Sequence, residues 1–141
     1  MLRRSLAIAS IAALFAGTAS ATTIKFSTTL TPASEVSHST STGSGAATVS
    51  LDTATHEITY DVTFSGFSSA VTAADIHGPA EAGKNAGVVV PLGNNPTSPI
   101  RGTAKLTPEQ EQQLTSGLFY VNVDTKNNPG GAIRGQLTQA K

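Results

Sequence analysis

The stretch 73–80, which reads AADIHGPA, is a strand that ends in a turn, and the rest of the chain is organised around it. Side chains of an extended chain point alternately to its two faces, so Asp75 and His77 share one face and Ile76 points to the other. The Gly-Pro pair ends the strand, because proline has no amide hydrogen to donate to a ladder. An imidazole and a carboxylate on one face make this stretch the first candidate for a functional site.

Alternating runs of apolar and polar residues flank this stretch on both sides, and such runs are typical of half-buried strands. Segments rich in Gly, Pro, Asn and Ser separate them, and the polar segment 31–45 is expected to be a long mobile connection. About eight short strands at regular spacing predict an all-β fold, an antiparallel β-sandwich with Greek-key connections. The flanking runs are 23–30, 47–52, 57–64, 87–92, 100–106, 119–124 and 133–137.

One short connecting helix is predicted over 107–116. Thr107 can cap its start, Pro108 fits its first turn, and Gln110 completes a capping box. Leu114 is the residue within it that is apolar enough to dock. The helix is therefore expected to lie over the sandwich as a connection rather than to form part of the core.

Residues 1–21 have the features of a secretory signal peptide. Two arginines form a basic start, an apolar run follows over 6–17, and the small residues 19–21 suit cleavage. The apolar run is shorter than the roughly 20 residues that cross a bilayer, so no membrane span is expected after cleavage. Residues 22–141 are expected to form a single domain, located in a periplasm or outside the cell.

Composition argues against several classes of protein. The absence of cysteine rules out a disulfide framework and thiol chemistry. The 9 basic and 9 acidic residues balance and only 5 Phe and 2 Tyr are present, so no nucleic-acid partner is expected. No set of nucleophile, base and orienting group is recognisable, and 3 histidines are too few for a dinuclear copper-zinc centre. We therefore expect no enzymatic activity.

Three motifs resemble the CHRD domain, a family named after chordin that is common in exported bacterial proteins. They are ADIHGPA at 74–80, LTPEQ at 106–110 and the long stretch 120–137, and Glu35-Val36 after the first strand also matches the family pattern. The resemblance covers 24–137. It implies an immunoglobulin-like or superoxide-dismutase-like β-sandwich, an extracellular or periplasmic location and no established enzymatic reaction.

The chain departs from the family pattern at three positions. The family usually has histidine where Asp75 and Asp124 stand, and glutamate where Ala132 stands. One histidine with two carboxylates is a harder ligand set than three histidines. The expectation of copper or zinc that the resemblance carries is therefore weakened here.

Alternation predicts a polar cluster on one face of the sheet. Asp75, His77 and Asp124 are candidate ligands for a divalent metal that keeps an open coordination position. In the alternative interpretation, Arg134 bridges the carboxylates and His77 makes a hydrogen bond at the strand end. The other members of the cluster are Tyr120, Asn122 and Arg134.

The expected function is that of an exported, non-catalytic binding or structural module without a cofactor. Its partner is expected to be an extracellular or periplasmic protein or ion whose identity the sequence leaves open. The alternative is a periplasmic or secreted divalent-metal-binding protein that uses His77 with Asp75 and Asp124. Self-association through an exposed strand edge is a third hypothesis. His38 and His56 are expected to be surface residues without a function.

Overall fold

The computed structural model describes residues 10–12 and 20–141, and most of the predicted signal peptide lies outside these residues. Within them the chain forms two antiparallel sheets, the α-helix α1 (Pro108–Thr115) and a short 3₁₀ helix (Pro32–Ser34). The strands are β1 (Thr23–Leu30), β2 (Ser44–Asp52), β3 (Glu57–Ser65), β4 (Val71–His77), β5 (Val88–Asn94), β6 (Ile100–Lys105), β7 (Tyr120–Thr125), β8 (Ile133–Gln136) and β9 (Thr138–Gln139).

The two sheets pack as a sandwich, and the chain passes repeatedly between them. The first sheet has the strand order β6-β3-β2-β1-β9 and the second has the order β5-β4-β7-β8. After the β4–β5 pair the chain returns to the first sheet as β6, beside β3, and then enters the second sheet again as β7, beside β4. Such crossings are typical of Greek-key sandwiches. The predicted class, an all-β antiparallel sandwich with one short helix, is confirmed.

One apolar core lies between the sheets, because the strands turn their apolar faces inward. In β4, Ala74 and Ile76 are fully buried, while Asp75 and His77 on the opposite face are half-buried. Leu114 is the buried residue of α1 and belongs to the same core. Removal of these apolar side chains from water is the main favourable term in folding.

The helix begins and ends where the sequence predicts. The Thr107 hydroxyl accepts a hydrogen bond from the Gln110 amide at 3.2 Å, and the Thr107 amide donates to the Gln110 side chain at 2.9 Å, which is the predicted capping box. Gly117 follows the helix with a φ of 77°, a backbone conformation that favours glycine.

The loop between β1 and β2 differs from the mobile connection that its sequence predicts. Thr31 and Arg134 exchange two backbone hydrogen bonds of 3.0 Å, so the start of the loop extends the second sheet beside β8. The Ser39 hydroxyl donates to the Ala132 carbonyl oxygen at 2.7 Å. These partners lie on β8 and just before it, far along the chain, and a breaker-rich sequence carries no signal of such contacts.

Two further details differ from the sequence-based predictions. A ninth strand, β9, pairs with Phe26 and Ser27 of β1, and two polar residues are too few to show a period. His56 does not stand free on the surface, because its Nδ1 contacts the Glu111 carboxylate on α1. His56 therefore links the β2–β3 turn to the helix.

Candidate binding site

The outer face of the second sheet carries the polar side chains of β4, β7 and β8, and we call it the polar face. Alternation sends Val121 and Val123 into the core and the residues beside them outward. The pairing of β4 with β7 and of β7 with β8 then brings the six side chains of the predicted cluster, and one more, to this face. The polar face consists of Asp75, His77, Tyr120, Asn122, Asp124, Arg134 and Gln136.

Two loops cover much of the polar face. The β4–β5 loop, 78–87, is anchored by Ala86, whose amide donates to the Tyr120 hydroxyl oxygen at 3.0 Å. The Ala86 carbonyl oxygen accepts from the Tyr120 hydroxyl at 3.2 Å and from His77 Nδ1 at 3.0 Å. The β1–β2 loop covers the side near β8. As a result, Tyr120 and Asn122 point away from the core and are still only 3% and 6% exposed.

His77, Asn122 and Asp124 form a continuous chain of hydrogen bonds. His77 Nε2 lies 2.7 Å from Asn122 Oδ1, and Asn122 Nδ2 donates to Asp124 Oδ1 at 2.7 Å. Both ring nitrogens lie within hydrogen-bond distance of an oxygen atom, and the tautomer of the ring decides which nitrogen donates. A flip of the Asn122 amide would instead turn its oxygen toward the Asp124 carboxylate. The predicted hydrogen bond of His77 at the strand end is present.

The predicted metal ligands share a face without forming a coordination shell. A metal ion needs a free lone pair on the imidazole, and both ring nitrogens of His77 are engaged with oxygen atoms. Across residues 20–141, no group of three or more His, Cys, Asp or Glu side chains is arranged to hold a metal ion. Asn122 would have to move before His77 could bind one.

Burial raises the pKa of both carboxyl groups on the polar face. For Asp75, the charge of His77 opposes this effect. For Asp124, the hydrogen bond from Asn122 opposes it and the charge of Asp75 adds to it. In the described part of the chain neither carboxylate makes an ion pair, so both remain poorly compensated.

Arg134 does not bridge the carboxylates of the polar face, and the alternative interpretation of the sequence is wrong on this point. Its guanidinium lies 3.5 Å from the centre of the Tyr120 ring, as a cation–π contact. Its Nη1 donates to Asn85 Oδ1 at 3.1 Å, and its Nη2 donates to the Glu81 carbonyl oxygen at 3.2 Å and to Gln136 Oε1 at 3.3 Å. Arg134 is only 1% exposed. Its hydrogen bonds to Asn85 and Glu81 hold the β4–β5 loop over the sheet.

His77, Tyr120 and Arg134 together form a rigid stack of three planar groups. The His77 and Tyr120 rings face each other across β4 and β7 with their centres 4.9 Å apart and their planes 3° from parallel. The guanidinium of Arg134 also lies against the Tyr120 ring. The ring nitrogens of His77 contact Ala86 and Asn122, and Nδ1 of His56 contacts Glu111; in the described part of the chain no hydroxyl group hydrogen-bonds to either imidazole.

A cleft opens between the two covering loops at the β8 edge of the polar face. Its volume is about 410 Å³, within the usual range of ligand pockets. A second cavity of about 510 Å³ adjoins it along the β1–β2 loop, and the two share Ala33 and Glu35. We call both cavities together the cleft. The first is lined by Ala33, Ser34, Glu35, Ala82, Gly83, Arg134 and Gln136.

Glu35 is a candidate site residue that the periodicity of the sequence does not reveal. Its Oε1 is buried and has no hydrogen-bond partner among the described residues. Burial raises the pKa of Glu35 to about 7; the charge of Arg134 opposes this rise and the charge of Asp124 adds to it. The carboxyl group lies against Gly131, where a Cβ would overlap both of its oxygens. The match of Glu35-Val36 to the family pattern is the only sequence signal that points to it.

The profile of the CHRD domain matches residues 26–137, which include the polar face and the cleft. A search of curated proteins and a search of solved structures found no match. No helix in the described part of the chain is long and apolar enough to cross a membrane. CHRD domains are typically extracellular and form a non-enzymatic family, which supports a binding or structural role. Because the match takes in most of the chain, including strands of both sheets, the protein belongs to the CHRD domain family.

Proposed function

We propose that this protein is an exported, non-catalytic binding module that holds a polar ligand in the cleft between its β1–β2 and β4–β5 loops. The family supports a binding or structural module. The cleft favours binding over a purely structural role, because its wall carries Glu35, whose buried Oε1 has no hydrogen-bond partner among the described residues.

The observation that carries this proposal is Glu35, which lines both cavities and whose buried Oε1 has no hydrogen-bond partner among the described residues. Most buried polar atoms in folded proteins have a hydrogen-bond partner. Leaving one unpaired costs about 1–3 kcal/mol, and more for a charged group. The unpaired oxygen of Glu35 therefore supports the proposal that a ligand contacts this carboxyl group.

The walls of the cleft are pre-organised for binding. Arg134 is fixed by three hydrogen bonds and by Tyr120, and the covering loops are tied down at Ala86 and Ser39. A rigid site loses little conformational entropy when a ligand binds.

Export is supported by the signal-peptide features of residues 1–21. Mass spectrometry of the protein recovered outside the cytoplasm is expected to find an N terminus at Thr22. Recovery of the uncleaved chain from the cytoplasm alone would contradict export.

The binding function is tested by NMR titration of the ¹⁵N-labelled protein with a panel of small molecules: 1,4-diaminobutane, succinate and glucose. At least one class is expected to shift the amide signals of Gly83 and Gln136. Ala33→Trp, which places a large side chain between the two cavities, should abolish the shifts. Ala54→Trp, at an exposed turn, should not. If no compound shifts these signals, the proposal is wrong.

Divalent-metal binding is the second candidate, favoured by the poorly compensated carboxylates of Asp75 and Asp124 beside His77. It requires the Asn122 amide to release His77. Calorimetric titration with zinc, copper and iron is expected to show saturable heat that His77→Ala removes. Absence of saturable heat below about millimolar concentration, or heat that His77→Ala leaves unchanged, contradicts metal binding.

A further inference from the structure

We propose that the ligand of the cleft carries a primary alkylammonium group that binds the Glu35 carboxylate. This inference rests on the function proposed above and names the chemical class of its ligand.

Among residues 10–12 and 20–141, no hydrogen-bond donor reaches Oε1 of Glu35. Arg134, the cation on the same wall of the cleft, directs its hydrogen bonds to Asn85, Glu81 and Gln136. Within residues 20–141 it makes no ion pair with Glu35. An ammonium group carries three donors and a full charge, so it can pair with the carboxyl group of Glu35, which lines both cavities.

The charges around Glu35 favour a ligand group with a positive charge. The charged groups that act on Glu35 are Arg134 on β8 and Asp124 on β7. Two negatively charged carboxylates therefore lie near one positively charged guanidinium. The Tyr120 ring already covers one face of that guanidinium. A cation lowers the repulsion between the carboxylates, whereas a carboxylate or phosphate ligand would increase it. We therefore expect the cleft to favour a positive group over a negative one.

The shape of the cleft leaves room for an alkyl chain beside Glu35. Glu35 stands between the two cavities, so a ligand that contacts its carboxylate can extend into either of them. The second cavity is lined partly by Pro32 and Val36, and Val36 is 45% exposed. These apolar groups can cover the methylene chain of an alkylammonium ion. A bare ammonium ion would leave that surface uncovered.

A lysine side chain of a protein and a free polyamine present this same chemistry. Two probes distinguish the sources: Nα-acetyl-lysine methylamide and 1,4-diaminobutane. Nα-acetyl-norleucine methylamide and 1-butanol are their uncharged counterparts. Tighter binding of the lysine derivative assigns the site to a protein partner, and tighter binding of the diamine assigns it to a free polyamine.

The test follows the amide signals of Gly83 and Gln136 during NMR titration of each probe. Both amines are expected to bind, and both uncharged counterparts are not. Glu35→Gln should weaken amine binding by about tenfold or more, because it removes a charge-assisted hydrogen bond. Glu35→Asp, which keeps the charge, should weaken it less. Glu57→Gln, on the first sheet, should leave it unchanged.

Two results would overturn this inference and leave the proposed function standing. In the first, succinate or glucose shifts the signals of the cleft and the amines do not. In the second, Glu35→Gln binds the amines as tightly as the unsubstituted protein. If no compound of either set shifts these signals, both the inference and the proposed function are wrong.

Discussion

Glu35 is a residue that the fold holds in an unfavourable environment. In the unfolded chain its pKa is near the ordinary 4.5, and in the fold burial raises the pKa to about 7. The folded state therefore binds this proton more tightly than the unfolded state does. The stability that the neutral form contributes is fully present below pH 4.5 and is lost as the pH rises through about 7.

Glu35→Gln is expected to remove this pH dependence. At pH 8 the variant should be more stable than the unsubstituted protein by about 1 kcal/mol, a figure reduced for the partial exposure of the side chain. At pH 4 the two should be equally stable. Urea unfolding at both values measures the difference, with Glu57→Gln as the control. Equal stabilities at pH 8 would contradict the account of Glu35.

Asn122 holds the hydrogen-bond chain of the polar face together. Asn122→Ala leaves His77 Nε2 and the Asp124 carboxylate without this partner in a half-buried setting. The loss in free energy of unfolding is expected to be about 1–3 kcal/mol. Urea unfolding at pH 7 measures it, with Asn127→Ala at an exposed turn as the control. A similar change for both variants would show that the chain of hydrogen bonds contributes nothing.

Alternation along single strands predicts which side chains lie on the polar face. The two-residue period requires Asp75 and His77 to share a face, as it does Tyr120, Asn122 and Asp124. The partners of Arg134 could not be predicted in this way, because Asn85 and Glu81 reach it from a loop without a period. The role of Glu35 could not be predicted for the same reason, because Glu35 also lies in a loop without a period.

Among the elements, α1 depends on a single apolar side chain for its attachment. Leu114 is fully buried and packs the helix against the core. Leu114→Ala is expected to lower the free energy of unfolding by about 2–5 kcal/mol, through lost burial and the cavity that remains. Thermal and urea unfolding measure the change. Gln112→Ala, on the exposed side, should have little effect, and a loss as large as that of Leu114→Ala would contradict this attachment.

Elements with strong local signals could be predicted, and elements defined by distant contacts could not. The capping box of α1 and the long alternating strands are encoded by neighbouring residues. By contrast, β9 exists because Thr138 and Gln139 pair with β1, and the β1–β2 loop is fixed by contacts with β8 and the residue before it. Composition alone describes such a loop as a mobile connection.

At the scale of the whole molecule, the sandwich requires a close approach of β8 to β1. A Cβ at Gly135 would overlap the Thr29 carbonyl oxygen and crowd Leu30. Gly135→Ala is therefore expected to destabilise the protein by about 1–3 kcal/mol, because two backbones must separate. The matched control is Gly130→Ala, where a Cβ meets nothing within 4 Å. Equal thermal stability of the two variants would show that the approach is looser than described.

The fold class could be predicted because many alternating runs along the chain all indicate β-strands. The cleft was not, since it exists only where two loops, both poor in sequence signal, meet over β8. The proposed binding site therefore forms only in the folded protein, around the carboxyl group of Glu35.

The most direct test of this account is the titration of the Glu35 carboxyl carbon by ¹³C NMR between pH 4 and pH 9, with and without 1,4-diaminobutane. The midpoint is expected near 7 in the free protein, because burial raises the pKa of Glu35, and it should be lower when the diamine binds the charged form of Glu35. A midpoint near the ordinary 4.5 that the diamine leaves unchanged would contradict it.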